Sequence, residues 1–218
     1  MKSIKNIYLS WRKGKSYRRH IVGIIRRNAN EGIRFEYLKQ NLSEALKDGF
    51  APYVDFPDIN KVYKEHVIDI FGQRLIQADR SDIQRYYDFW ELDKKFVDDK
   101  FYMLAYTQGL LSTDNFEFLA EFYPKRDLCF VSEICGLTER NIASNLITPD
   151  EELRWLRESH NKFDKYAVQV LKGNTLIGYV KKIHNKVFYE NLKGRLKIVV
   201  KSVDQNGVIN RVFIRISF

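Results

Sequence analysis

Leu153-Arg154-Trp155-Leu156-Arg157-Glu158-Ser159-His160-Asn161-Lys162-Phe163-Asp164-Lys165-Tyr166-Ala167-Val168-Gln169-Val170, continued by Leu176-Ile177-Gly178-Tyr179-Val180, decides the fold of the C-terminal half. Leu153 to Arg157 reads as a strand. Leu153, Trp155 and Arg157 share one face and Arg154 and Leu156 the other, because successive side chains of a strand point to opposite sides. Asn161 to Asp164 carries turn residues. Tyr166 to Leu171 and Leu176 to Val180 read as two more strands, joined by a turn at Gly173-Asn174. Outward from this stretch, Leu128 to Gly136, Arg195 to Val203 and Val208 to Phe218 alternate in the same way, with a further turn at Asn206-Gly207. Lys182 to Leu192 places Ile183, Val187 and Phe188 on one helical face. Six short strands and one helix predict a partly open barrel or a strongly bent sheet.

Before Pro124 the pattern differs. Ile4 to Trp11 and His20 to Arg26 read as a β-hairpin around the basic Arg12-to-Arg19 turn, and Ile33 to Tyr37 as a third strand. From Ser43 the period becomes helical, with Ala45, Leu46 and Phe50 on one face and Gly49 as the stop. Val62, Tyr63, His66, Val67, Ile70, Phe71, Leu75 and Ile76 predict an amphipathic helix over 60–78. Ser81 is a candidate N-cap for a helix carrying Ile83 to Trp90. Phe96 to Gly109 and Thr113 to Tyr123 are read as two more helices. The expected fold class is therefore α+β: a small N-terminal β-sheet plus helices over 1–124, then an OB-like β-barrel with one helix over 125–218, with the boundary near Pro124 to Asp127.

The order of features from Leu153 to Val180 resembles the central pattern of HIRAN domains. An apolar strand is followed by Arg157-Glu158, by Asn161-Lys162-Phe163-Asp164, by Ala167-Val168-Gln169-Val170, and by a strand with Gly178-Tyr179. Upstream, Ile134-Cys135-Gly136-Leu137 resembles the opening strand of the family. The resemblance implies an OB-like barrel, which in some DNA-remodelling proteins grips single-stranded DNA, notably its 3′ end. It implies end-binding roles for Phe163 and Asp164, although the family usually has Tyr where Phe163 stands. The family's Arg and aromatic on the loop after the opening strand map to Thr138-Glu139-Arg140-Asn141, where only Arg140 carries over. In the N-terminal half, Val22-Gly23-Ile24-Ile25-Arg26, the Asn30-to-Tyr37 turn and strand, Phe56-Pro57 and the helix expected around Val67 to Leu75 are similar to the N-terminal subdomain of HipA-type Ser/Thr kinases. That resemblance implies a companion subunit of a separately encoded kinase, of the toxin-antitoxin kind.

Charge narrows the classes of partner. The 218 residues carry a net +9 with 44% hydrophobic and 14% aromatic side chains, a globular composition. Residues 1–39 hold +9, residues 40–124 hold −7 and residues 125–218 hold +7, so two basic segments flank an acidic one. That pattern suits a polyanion at either end or mutual neutralisation of two domains. No apolar run has the length of a signal peptide or a membrane span, and a cytoplasmic protein is expected. Cys129 and Cys135 lack metal-ligand or disulfide-framework spacing, and His20, His66, His160 and His184 are scattered. Neither a metal, nor a cofactor, nor catalysis is expected.

Single-strand binding needs aromatic faces for stacking and cations along the backbone. Phe163, Trp155 and Tyr179 are the candidate faces. Arg140, Arg154, Arg157, Lys162, Lys165, Lys181 and Lys182 are the candidate cations, with Asn161 and Asp164 shaping the loop between them. Trp155 fits a core position as well as a platform, Tyr179 leans to the core, and Asp164 fits a turn as well as a binding site. The first hypothesis is a non-catalytic protein whose barrel contacts single-stranded DNA or DNA ends. The alternative is an interaction subunit of a HipA-like Ser/Thr kinase.

Overall fold

A computed structural model describes residues 3–14, 17–137, 140, 142–143, 145–190, 194–206 and 208–218. In chain order the first elements are β1 (Ile4–Trp11), β2 (His20–Asn28), β3 (Gly32–Tyr37), α1 (Lys39–Lys47), β4 (Val62–Tyr63), α2 (Val67–Gly72), α3 (Ile83–Phe89), α4 (Lys100–Thr107) and β5 (Phe116–Phe122). There follow β6 (Cys129–Cys135), β7 (Glu152–Arg157), β8 (Val168–Lys172), β9 (Thr175–Val180), β10 (Lys197–Asn206) and β11 (Val208–Ser217). Contacts group these into two units, Met1–Gln84 with Leu92–Glu121, and Arg85–Glu91 with Phe122–Phe218. The fold is α+β, as expected. Among the described residues no helix is long and apolar enough to cross a membrane.

The first unit is built on a five-stranded sheet of order β4-β3-β2-β1-β5. The central strand β2 is buried continuously from His20 to Ile25. Phe35 pairs with Ile25 across the ladder and joins Phe56, Phe71 and Phe118 in an aromatic cluster with ring centroids 4.9–5.2 Å apart. Each ring removed from water stabilises the unit by roughly 1.5–3 kcal/mol. Gly23 leaves room for this cluster, since a Cβ there would stand 2.5 Å from the Phe35 ring.

Four helices expected before Pro124 are altered. Over 60–78 the chain instead forms β4, which pairs Val62 with Glu36 and Tyr63 with Phe35. His66 then takes a left-handed backbone and only Val67–Gly72 is helical. Thr113 to Tyr123 contains strand β5, not a helix. Asp114 accepts from the Phe116 amide and from the Arg74 guanidinium, which ends any helical start before the strand begins. The stretch Phe96 to Gly109 contains a shorter helix, α4, because Asp99 caps it through the Phe101 and Tyr102 amides. A separate 3₁₀ turn at Lys94–Phe96 has its own cap in Asp93. The helix expected from Ser43 starts earlier, at Lys39, and buries Leu42 and Ala45 while Leu46 is exposed.

The second unit is a barrel of six strands, closed in the order β10-β11-β6-β9-β8-β7. The expectation of a partly open barrel or a strongly bent sheet resolves to a closed barrel, and all six strands fall where alternation placed them. The Lys182 to Leu192 helix is a 3₁₀ turn, His184–Tyr189, that buries Val187 and Phe188; Leu192 itself lies outside the described residues, as does Gly207 of the Asn206-Gly207 turn. Strength around the barrel is uneven. The β10–β11 hairpin runs from Lys197↔Ser217 to Asn206↔Val208, whereas β6 meets β9 only at Ile134↔Val180 and Cys135↔Tyr179, and β7 meets β10 only at Leu153↔Ile198 and Glu152↔Val199. Arg85–Glu91, the larger part of α3 and the two residues after it, belongs to this unit: Phe89 and Trp90 stand edge-on to Phe213 at 5.2 and 5.8 Å, and Glu91 pairs with Lys201.

Burial pushes the Cys129 thiol up to about 11, with the Glu91 carboxylate adding to it. About one thiol in a thousand is then ionised at pH 8, and the thiolate is the reactive form. Iodoacetamide at pH 8 is expected to leave Cys129 unmodified in the folded protein and to label it fully in denaturant, as read by peptide mass spectrometry.

Candidate nucleic-acid interface

The β7–β8 connection is a loop shaped by its own side chains. Asn161 Oδ1 accepts from the Phe163 and Asp164 amides at 2.9 and 3.1 Å, an Asx-type turn. Asp164 Oδ1 accepts from the Tyr166 amide at 2.9 Å, and its Oδ2 accepts from Asn185 Nδ2 at 2.7 Å, tying the loop to the 3₁₀ turn. Of the two readings for Asp164, the geometry realises the structural one. The loop so fixed projects Phe163 with 79% of its surface exposed. The ring is thus presented to solvent and takes no part in the core.

Cations lie along the same loop and at its start. Lys162 and Lys165 are exposed on either side of Phe163 and Asp164, with Lys165 Nζ 5.1 Å from the Tyr166 ring centroid. Arg157, at the end of β7, sits 5.2 Å over Tyr189, whose hydroxyl donates to the Ala167 carbonyl at 2.8 Å. On the other flank Asn161 Nδ2 donates to Glu158 at 3.1 Å, and the Tyr179 hydroxyl also donates to Glu158. Partial burial, then the bond to Glu158, raises the Tyr179 phenol above its usual range. Burial opposes the ionised Glu158, but donors from Asn161, Gln169 and Tyr179 and the charge of Arg140 outweigh it and lower its carboxyl. Arg140 covers the Tyr179 ring at 5.8 Å. Tyr179 is therefore a half-buried support for Arg140 and Glu158, not an open platform.

Trp155 combines its two readings. Its Nε1–H donates to the Leu196 carbonyl at 2.7 Å and its edge packs on Phe188 at 4.9 Å, which fixes it as part of the wall. Its ring is also within reach of Arg195, 5.6 Å from the centroid. Arg154 is exposed on the opposite face and donates to the Gly173 carbonyl in the β8–β9 turn at 3.3 Å.

No protein-family model matches this chain, and no curated protein matches it. Among solved structures it is similar to the HIRAN domain of human HLTF, at 18% identity over 40% of this chain and 74% of that one, with a TM-score of 0.29. It is also similar to a structural-genomics protein from Lactobacillus plantarum, at 16% identity over 42% of this chain and 99% of that one, with a TM-score of 0.30.

Pairwise contacts link Arg140 through Tyr179 and Glu158 to Asn161 and so to the Phe163–Asp164 turn, and Arg157 through Tyr189 to Tyr166 beside Lys165. Lys182 is exposed beside the 3₁₀ turn. Lys181 does not belong with them. It is fully buried, with Nζ 3.0 Å from Glu133, which Arg211 also holds at 3.0 Å. A charge sealed with its partner inside the barrel wall is not presented to a ligand. Thr138, Glu139 and Asn141 of the loop that carries Arg140 lie outside the described residues. Sequence reasoning missed Tyr166, Tyr189, Arg195 and Lys197. Arg195 stands two residues ahead of Lys197, the first residue of β10, a spacing that could have flagged them.

The basic N-terminal hairpin keeps fewer cations on show than its composition suggests. Arg12 and Arg19 both pair with Glu117, at 3.6 and 2.6 Å, and Lys13 lies 5.5 Å from the Tyr17 ring. Lys15 lies outside the described residues. Among the described residues no group of His, Cys, Asp and Glu is placed to hold a metal ion.

Proposed function

We propose that the barrel unit binds single-stranded nucleic acid without catalysing a reaction on it, using the pinned Phe163 loop as a stacking platform and the surrounding cations to track the phosphate backbone. The observation that carries this is the Phe163 ring, 79% exposed on a loop that Asn161 holds through the Phe163 and Asp164 amides and that Asp164 ties to Asn185. Bases stack on such rings regardless of sequence, each contributing roughly 1–3 kcal/mol. Lys162, Lys165, Arg157 and Arg140 supply the charge, and each phosphate neutralised steepens the salt dependence of binding. The resemblance of Leu153 to Val180 to HIRAN domains supports the same reading. Asp164 acts here by positioning the loop.

The test is fluorescence anisotropy with short single-stranded DNA over a salt series. Phe163→Ala is expected to weaken binding about tenfold without changing the salt slope, since one stacked base is lost but no charge. Lys162→Ala with Lys165→Ala is expected to weaken binding and flatten the slope by about one to two units. Absence of wild-type binding at low salt would sink the proposal.

A further inference from the structure

Where β7 and β10 part, the barrel wall opens into a groove. Their pairing covers only Glu152 and Leu153, and the next cross-strand bond is made by a side chain, the Trp155 indole N–H to the Leu196 carbonyl at 2.7 Å. Beyond that bond lies a space of about 530 Å³ bounded by Trp155, Leu156 and Arg157 on one side and Gly194, Arg195 and Leu196 on the other. A second space of about 370 Å³ adjoins it along Arg154 and Lys197. The larger one falls within the roughly 300–1,000 Å³ that small-ligand sites occupy.

The chemistry of the walls selects an occupant. Trp155 offers an aromatic ring whose orientation is locked at both ends, by Leu196 and by Phe188. Arg195, 5.6 Å from that ring, adds a planar guanidinium, and Leu156 adds an apolar face that is 45% exposed. Among the described residues the two spaces are lined by Arg154, Arg157, Arg195 and Lys197 against the carboxylates of Glu152 and Glu190, an excess of positive charge. A flat, stackable group carrying a phosphate matches all three features, and guanidinium planes both stack on bases and grip phosphates. An acidic peptide would meet the charge but leave the ring and guanidinium plane unused.

We propose that this groove is a second nucleotide subsite, which takes one unstacked base against Trp155, Leu156 and Arg195 and its phosphate on Arg157. The proposal rests on the nucleic-acid reading of the Phe163 surface and extends it. Arg157 lies in both, over Tyr189 on one side and in the groove wall on the other, so a strand running from Phe163 would reach the groove through it.

The experiment compares wild type and Arg195→Lys, which keeps the charge and removes the plane, for binding of a ten-nucleotide oligothymidylate, an abasic backbone of equal length, and polyglutamate. Arg195→Lys is expected to weaken the oligothymidylate about fivefold while changing the abasic chain and polyglutamate by less than about twofold. Unchanged oligothymidylate affinity, or equal loss for all three polyanions, overturns the subsite and leaves the Phe163 surface standing. Failure of wild type to bind oligothymidylate at low salt overturns both.

Discussion

Gly178→Ala is expected to unfold the barrel or lower its stability by about 3 kcal/mol or more, the upper part of the range for overpacked interiors. A Cβ at Gly178 would stand 2.4 Å from the Cys135 carbonyl oxygen and 2.6 Å from Ile134 Cγ2. Backbone cannot swing aside as a side-chain end can, so β9 must move away from β6. That seam consists of only two residue pairs, Ile134↔Val180 and Cys135↔Tyr179, and both flank the clash. The displaced strand also carries Tyr179, so the Glu158 and Arg140 contacts go with it. Hydrogen exchange should show protection lost in β6, β8 and β9 while β1, β2 and β3 keep theirs. Retained barrel protection with a normal melting curve would refute the account.

Arg74→Ala is expected to cost the first unit about 3–5 kcal/mol, the usual result of removing one partner from a buried ion pair. Arg74 is 7% exposed. It donates to both Asp114 oxygens, to the Gly109 carbonyl at 2.9 Å and to the Phe116 carbonyl at 3.3 Å, with its guanidinium 5.4 Å from the Phe118 ring. Burial disfavours its charge, but the Asp114 carboxylate outweighs that and raises the guanidinium further. Truncation strands four acceptors and opens a void beside the aromatic cluster. Arg74→Lys should recover little, because one ammonium cannot span the same fork. Urea unfolding of the two variants checks this, and a shift under about 1 kcal/mol for Arg74→Ala would contradict it.

Much of this architecture was legible in alternation and turns. β1 to β3 and the six barrel strands have one face in and one face out, or short apolar runs between turn residues, and these leave a period-two mark. β5 left none. Phe118, Leu119 and Ala120 are consecutively buried, so the apolar run suits a helix as well as a strand, and only its place in the sheet decides. Val62 and Tyr63 fit the helical spacing of 60–78 by coincidence, since β3 claims them through long-range pairing. The site was half legible. Asn161, Phe163 and Asp164 carry a local turn code that reads directly from the chain. Lys181 looked like its neighbour Lys182, because burial against Glu133 depends on a strand far away in sequence. Arg195 gained its meaning from the same kind of distant encounter, with Trp155.

The membership of Arg85–Glu91 in the barrel unit bears on how the chain matures. Phe89 and Trp90 leave the ribosome long before Phe213, the ring they pack against, has been translated. Through most of synthesis these two aromatics have no native surface to cover, the condition in which nascent chains recruit chaperones or stick to one another. The barrel cannot close before the β10–β11 hairpin has been made. Shortening the protein by even that one strand would leave the early-made helix as an exposed apolar knob.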